Sequence, residues 1–302
     1  MSKVVVTGGA GFIGSHLADA LLSAGHETHI VDNLAAGRRE DVPLGAVFHE
    51  KDILDTAAMQ ELFADAKTVF HLAALPRVTF SIDHPVESHR ANVDGTFSVL
   101  MAARDAKVGR VVYGASSSAY GAQDRLPLTE DMRPNPASLY GFQKFAGEEY
   151  ARLFSLAYGL PTVSLRFFSV YGPRMRSDGG YALAIPKFLS ARKEGAPLPI
   201  TGDGTNTRDF THVCDVVAGC LLAMDSADVG KGEVINIAAG KNVSVNALAE
   251  LIGGEKEYLP PRPGDAQDTW GDTRKAQALL GWAPTVALKD GIAELKEEYG
   301  IV

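Results

Sequence analysis

The sequence predicts an α/β fold: a doubly wound parallel sheet of Rossmann type with a smaller C-terminal α/β domain interleaved with it. Three observations carry this reading. A short apolar strand at the N-terminus runs into a glycine turn and then a helix. Strand-like and helical segments then alternate as far as Phe167, the pattern of a parallel sheet built from βαβ units. Beyond Phe167 the rhythm fails, and prolines at 186, 197 and 199 punctuate the chain.

Composition bounds what the fold can serve. A chain of 302 residues forms one large domain or two. Hydrophobic residues make up 46% and charged residues 22%, a globular composition with ample core. Lys and Arg number 29 against 37 Asp and Glu, a net charge of −8, which argues against general binding to nucleic acid or an anionic membrane. An anionic ligand must then be gripped by local arginines. Cys214 and Cys220 are too few for a disulfide framework or a cysteine metal site, so no metal is expected and a reduced cytoplasm suits the chain. No apolar run reaches the ~20 residues of a membrane span. Glycines cut Val4-Val5-Val6 short, unlike a signal peptide.

Taken in order, Lys3 to Val6 is a short buried strand. Gly8, Gly11 and Gly14 follow in the spacing GxxGxxG, and a helix continues through Leu22. The glycines permit a tight turn and a close backbone approach, so the helix N-terminus faces a pyrophosphate. A second strand, Glu27 to Val31, ends at Asp32. This carboxylate stands roughly 20 residues past the turn, where it binds the hydroxyls of an adenosine ribose. Asp32 repels a 2′-phosphate and favours NAD over NADP; Arg38 and Arg39 read as solvated loop charges. Asp52 and Ile53 follow a strand at 47–50 and read as the adenine edge. Thr68 to Ala74 is a buried strand whose small residues end against the cofactor. Asn92 to Thr96 opens another helix, and Val108 to Tyr113 begins the next strand.

That strand runs into Ser116-Ser117-Ser118, at a carboxyl end, where open parallel sheets bind ligands. Ser138 to Lys144 reads as the first turn of a helix. Ser138 is its N-cap, and Pro134 and Pro136 break the chain before it. Tyr140 and Lys144 are four apart and share a face. A tyrosine titrates near pH ~10, and bringing it to neutrality takes roughly 4 kcal/mol. A neighbouring ammonium supplies part of that. Such a pair is common by chance; the glycine turn, Asp32 and the Ser116 loop supply it with a cofactor and a third partner.

With these elements in place, the sequence resembles the extended short-chain dehydrogenase/reductases, and among them the UDP-hexose 4-epimerases. The carrying stretches are TGGAGFIGSHL (7–17), DNL (32–34), HLAA (71–74), SSSAYG (116–121), YGFQK (140–144), LRFFSVYGPR (165–174), GDGTNTRDF (202–210) and RPGD (262–265). They run through nearly the whole chain in the family's order.

The resemblance implies NAD-dependent 4-epimerisation of a UDP-sugar through a 4-keto intermediate. Ser116 would hydrogen-bond the sugar 4-hydroxyl and Tyr140 would take its proton. Lys144 would lower the tyrosine's pKa and hold the nicotinamide ribose. Around the cofactor it places Gly8, Gly11, Phe12, Ile13, Gly14, Asp32, Asn33, Gly37, Asp52, Ile53, Leu72, Ala73, Ala74, Asn92 and Phe167, with Tyr140 and Lys144. Around the substrate it places Thr79, Ser117, Ser118, Ser169, Arg176, Arg208, Arg262, Asp265 and Thr269. Arg208 and Arg262 would grip the diphosphate in bidentate forks. Asp265 would meet the nucleotide ribose, and the segment from Tyr181 to Phe188 the uracil.

Two departures bear on the sugar. Ser169 stands where hexose epimerases carry Asn; uronate epimerases carry Thr there and an arginine at the position of Arg176, which keeps UDP-glucuronate open. Thr269, four residues after Asp265, is small where members that exclude N-acetyl sugars carry tyrosine, so room is expected for UDP-N-acetylglucosamine beside UDP-glucose and UDP-galactose. Related dehydratases and decarboxylating synthases place acids just after the catalytic hydroxyl. Here those positions are Ser117 and Ser118, so dehydration is the lesser alternative.

Arg208 to His212 leads into a helix, 215–225, that returns to the first domain, and Glu233 to Ile237 adds a strand. The expected division is 1–168 plus 211–238 for NAD, and 169–210 plus 239–302 for the nucleotide sugar. His212 and Cys214 read as a packing pair, not metal ligands. Resemblance further implies a homodimer through the helices after Ala91 and Tyr140, which carry Phe97, Leu100, Met101, Phe145, Leu153, Phe154 and Leu156.

Overall fold

The computed structural model describes residues 1–175, 183–260 and 268–301. Up to Phe167 strands and helices alternate: β1 (Lys3–Thr7), α1 (Phe12–Ser23), β2 (Glu27–Asp32), β3 (Val47–Glu50), α2 (Thr56–Phe63), β4 (Thr68–His71), α3 (Val78–Asp83), α4 (Pro85–His89), α5 (Gly95–Asp105), β5 (Arg110–Ser116), α6 (Leu139–Tyr158) and β6 (Thr162–Phe167). Beyond it come α7 (Ala184–Glu194), β7 (Leu198–Thr201), β8 (Thr207–Arg208), α8 (Val213–Asp225), β9 (Lys231–Ile237), β10 (Val243–Ser244), α9 (Val245–Ile252), β11 (Lys256–Leu259), α10 (Arg274–Leu280) and α11 (Leu288–Glu298).

Seven parallel strands form the main sheet in the order β3-β2-β1-β4-β5-β6-β9. Val4, Val5 and Val6 are wholly buried because helices cover both faces, which is why the strand reads as an unbroken apolar run. Period-two alternation splits them: Val4 and Val6 pack with Leu17, Leu21, Val216 and Trp282, and Val5 with Val99, Ala103 and Phe154. Register aligns the strand ends. Thr7 lies beside Val31 and His71, and Ser116 beside Phe167, itself beside Ile237. Asp32, the glycine turn, Ser116 and Phe167 therefore share the carboxyl edge of the sheet.

After Phe167 the chain leaves the sheet and builds a second core from Phe188, Leu198, Ile200, Leu248 and Ile292. β7 pairs with β11 in parallel and β8 with β10 antiparallel. α8 and β9 come back to the sheet between these pieces. Ala276, Leu280 and Trp282 also pack in the sheet-side core. No described helix is long and apolar enough to cross a membrane.

One local expectation is corrected. Asn92 does not open a helix. The helical run starts at Pro85, and Arg90–Asp94 forms a π turn inside it before α5. Proline at the first position of α4 starts the run. The widened turn holds Asn92, 1% exposed, where its side chain bonds neighbouring segments.

Candidate active site

The glycine turn is built for close backbone packing. Gly8 has φ of +73°, and a Cβ there would stand 2.6 Å from the Ala73 nitrogen. At Gly14 a Cβ would stand 2.1 Å from the Gly8 carbonyl oxygen. No side chain caps the first turn of α1, so its orphan N–H groups face outward from the turn. Asp32 is 8% exposed and its carboxylate accepts from the Ala10 nitrogen at 3.1 Å and the Leu34 nitrogen at 2.8 Å. Burial raises its pKa above the usual carboxylate range, against those two bonds. Gly37 brings the loop after β2 back against Ala10, and Arg38 N–H donates to the Ala10 carbonyl at 2.9 Å. Asn33 donates to Asp52 at 3.1 Å, which ties the ends of β2 and β3 together. An open helix N-terminus beside an inward carboxylate fits a dinucleotide, the turn taking the pyrophosphate and Asp32 a ribose. Arg38 faces Glu40 at 3.5 Å, and Arg39 lies over the Phe48 ring at 4.0 Å. Both are surface charges, as expected.

Ser138 caps α6, its Oγ accepting from the Gly141 nitrogen at 3.0 Å. Ser81, on α3, accepts from the Tyr140 nitrogen at 3.1 Å. Tyr140 is half-buried, and burial pushes its phenol up to about 12 while the neighbouring Ser116 hydroxyl pulls the other way. Lys144 is 4% exposed, and burial brings its ammonium down to about 7. Ser116 ends β5, and the Ser118 hydroxyl donates to its Oγ at 2.8 Å. Gly141 lets the helix meet this loop: a Cβ there would stand 2.6 Å from the Ser118 carbonyl oxygen. The structure thus brings Ser116, Tyr140 and Lys144 together at the sheet's carboxyl edge, with Ser117 and Ser118 in the same turn.

Asn92 is spent on the protein. Its amide donates to Leu75 O at 3.0 Å and Gln143 Oε1 at 2.8 Å, and its oxygen accepts from the Leu75 nitrogen at 2.8 Å. It fixes the loop carrying Leu72, Ala73 and Ala74 to α6. Gln143 and Ser81 escape a sequence reading: nothing in their spacing marks a side chain that bonds across elements. Ile53 is buried against Gly95, Phe167 is half-buried at the end of β6, Ser169 has φ of +24°, and Thr79 is exposed on α3.

In the second region Thr269 bonds the residues on either side of Arg208. The Thr269 nitrogen donates to Thr207 O at 3.2 Å, and its Oγ1 accepts from the Asp209 nitrogen at 3.3 Å. Asp209, wholly buried, accepts from the nitrogens of Ala239 at 2.7 Å, Gly240 at 3.1 Å and Gly271 at 3.0 Å. Burial raises it to about 6 against these bonds. Asp209 is the hub that sets the Arg208 strand. Arg176, Arg262, Asp265 and the start of the segment from Tyr181 lie outside the described residues. His212 caps α8, its Nδ1 accepting from the Cys214 nitrogen at 3.3 Å, and among the described residues no cluster suits a metal.

The profile of the NAD dependent epimerase/dehydratase family matches residues 4–238. A UDP-glucose 4-epimerase of Mycolicibacterium smegmatis is 38% identical over 311 residues, covering 98% of each chain. A UDP-glucose 4-epimerase of Thermotoga maritima, solved with UDP-glucose, superposes with a TM-score of 0.94 at 37% identity, covering 99% of this chain and 98% of that one. A UDP-glucuronic acid 4-epimerase of Bacillus cereus, solved with UDP-glucuronic acid and NAD, superposes with a TM-score of 0.90 at 33% identity over 99% of each chain.

Proposed function

The chain belongs to the NAD dependent epimerase/dehydratase family, and from that premise we propose that it inverts C4 of a UDP-sugar, with UDP-glucose and UDP-N-acetylglucosamine as the sugars it turns over. The observation that carries this is the Ser116, Tyr140 and Lys144 cluster beside the glycine turn, with serines and no acid at 117 and 118. NAD, held by the turn at Gly8, Gly11 and Gly14 and by Asp32, would supply the hydride chemistry at C4.

The chain's own residues manage the proton and the grip. Ser116 holds the 4-hydroxyl, and Tyr140 removes its proton and later gives it back. A phenol that titrates near 12 stays protonated at neutral pH and cannot accept the proton, so its pKa must be lowered when the site is filled. The Lys144 ammonium beside it acts in that direction. Arg208 and Arg262 tether the diphosphate while the oxidised sugar turns over. With no acid at 117 or 118 there is no group to drive elimination. The enzyme works as a homodimer through α5 and α6; Phe97, Leu153 and Leu156, 41%, 43% and 77% exposed, support that reading.

The test is turnover of UDP-glucose, UDP-N-acetylglucosamine and UDP-glucuronate in separate incubations, followed by mass spectrometry. Epimerisation conserves mass, and dehydration would lose a water. Tyr140→Phe should cost at least ~10²-fold, a usual size for one acid–base group. Wild-type turnover by that variant would sink the assignment.

A further inference from the structure

Lys144 is charged chemistry in a dry place. Burial alone displaces its titration, to about 7, and no described carboxylate offsets it. The carboxylate one turn on, Glu148, is held by Arg166 at 2.6 Å. What faces the ammonium is an aromatic ring: Lys144 Nζ lies 4.4 Å from the ring centroid of Tyr113.

The ring is a fixed seat. Tyr113 stands on β5, three residues before Ser116, and is 1% exposed. Its hydroxyl donates to the Lys144 carbonyl at 3.3 Å. Burial keeps the phenol protonated far above neutrality, so the ring meets the ammonium uncharged. His71 also lies against the ring, 5.6 Å between centroids with the planes tilted by 33°. That imidazole is lowered to about 3 by burial and shares hydrogen bonds with Thr7 at 2.8 Å and Thr96 at 2.9 Å, so it is neutral too. Gly147 makes room: a Cβ there would stand 2.3 Å from the Tyr113 hydroxyl. Glycine inside a helix is otherwise unfavourable.

We propose that Tyr113 is a positioning residue of the reaction, its ring face seating the Lys144 ammonium and holding it charged beside Tyr140. The proposal rests on the reading of Tyr140 as the acid–base group. The groups facing Lys144 are then Tyr140 on its own helix, Tyr113 from β5 and neutral His71 from β4. Glu148 is neutralised by Arg166 of β6. Apart from Tyr140 itself, once ionised, only the ring's quadrupole among these groups favours the ammonium over the amine.

The experiment places phenylalanine, then di- and trifluorophenylalanine, at position 113 of the NAD-loaded protein. Fluorination keeps shape and packing but strips negative charge from the ring face, so folding is not at issue. Lys144 is titrated by NMR of labelled lysine, which needs no turnover, and kcat and KM are followed against pH with UDP-glucose. Tyr113→Phe should keep the wild-type titration. The fluorinated rings should lower it stepwise, by about one unit in all, the size a desolvated cation–π contact implies. The basic limb of kcat should move down with it while KM holds. A Lys144 titration indifferent to fluorination would overturn the proposal. Failure of the Tyr140 reading would show separately, as full turnover by Tyr140→Phe.

Discussion

Glu148 and Arg166 clasp each other through two parallel hydrogen bonds of 2.6 and 2.8 Å, with each side chain 2% exposed. Glu148 lies two turns beyond Tyr140 on α6, and Arg166 stands next to Phe167 on β6. The Arg166 guanidinium also lies 4.3 Å over the Tyr120 ring. The pair fixes the helix that presents Tyr140 and Lys144 against the strand edge that meets the ligand. Desolvation cancels most of what a buried ion pair gains, but removing one partner strands the other. Glu148→Leu or Arg166→Met alone should therefore lower the unfolding free energy by about 3–5 kcal/mol. The double variant Glu148→Leu/Arg166→Met should recover most of that loss in denaturant titrations. Simply additive losses would refute the coupling.

Gly141 gives a sharper test of the site. Its missing Cβ is what lets the first turn of α6 lie against the Ser118 carbonyl, whose oxygen would stand 2.6 Å from an added methyl. The neighbour is backbone and cannot swing aside. Gly141→Ala should push Tyr140 away from Ser116. Misplacement on that scale costs about 10²-fold in rate. The loss should fall on kcat, with little change in KM, because the proposed diphosphate grip, Arg208 and Arg262, lies elsewhere in the chain. An unchanged kcat would show that the spacing of helix and serine loop does not matter.

Local chemistry makes part of this legible in the sequence. Gly8, Gly11 and Gly14 follow a strand and precede a helix, and Asp32 ends the next strand, so neighbouring residues alone place the turn and its carboxylate. Ser138, Tyr140 and Lys144 lie within a single helical stretch and obey its period. The rest depends on contacts between distant elements. Tyr113 looks like one more apolar strand residue until β5 is packed on α6. Glu148 and Arg166 are separated by a helix end and a turn. Asp209 reads as a loop acid until the nitrogens of Ala239, Gly240 and Gly271 arrive around it. The π turn at Arg90–Asp94 has no sequence signature, which is why the spacing alone puts Asn92 at a helix start.

Thr269 offers a prediction about the sugar. It is half-buried, next to the Arg208 strand, with its hydroxyl taken by the Asp209 nitrogen. On the proposed reading of the site, a tyrosine there would fill the space left for an acetamido group. Thr269→Tyr should cut kcat/KM for UDP-N-acetylglucosamine by at least about tenfold relative to UDP-glucose, a discrimination of ~1.4 kcal/mol. If the ratio of the two substrates stays where it was, the residue does not govern the choice.

Lys144 sets a conflict between stability and chemistry that pH can expose. Its ammonium titrates at about 7 in the folded chain against 10.5 for an ordinary lysine. Between those values the unfolded chain binds the extra proton, so stability rises with pH across that window. Below the folded value the penalty is at its full size. At pH ~8 it amounts to about 3 kcal/mol, the ring of Tyr113 offsetting part of it. Lys144→Met removes the charge while keeping an unbranched side chain of similar length. It should abolish turnover yet raise the melting temperature at pH ~8 by several degrees, and the gain should shrink as the pH approaches ~10. Melting curves of both proteins across that range decide the matter, and a gain that is constant with pH would mean that packing and not charge is the cause.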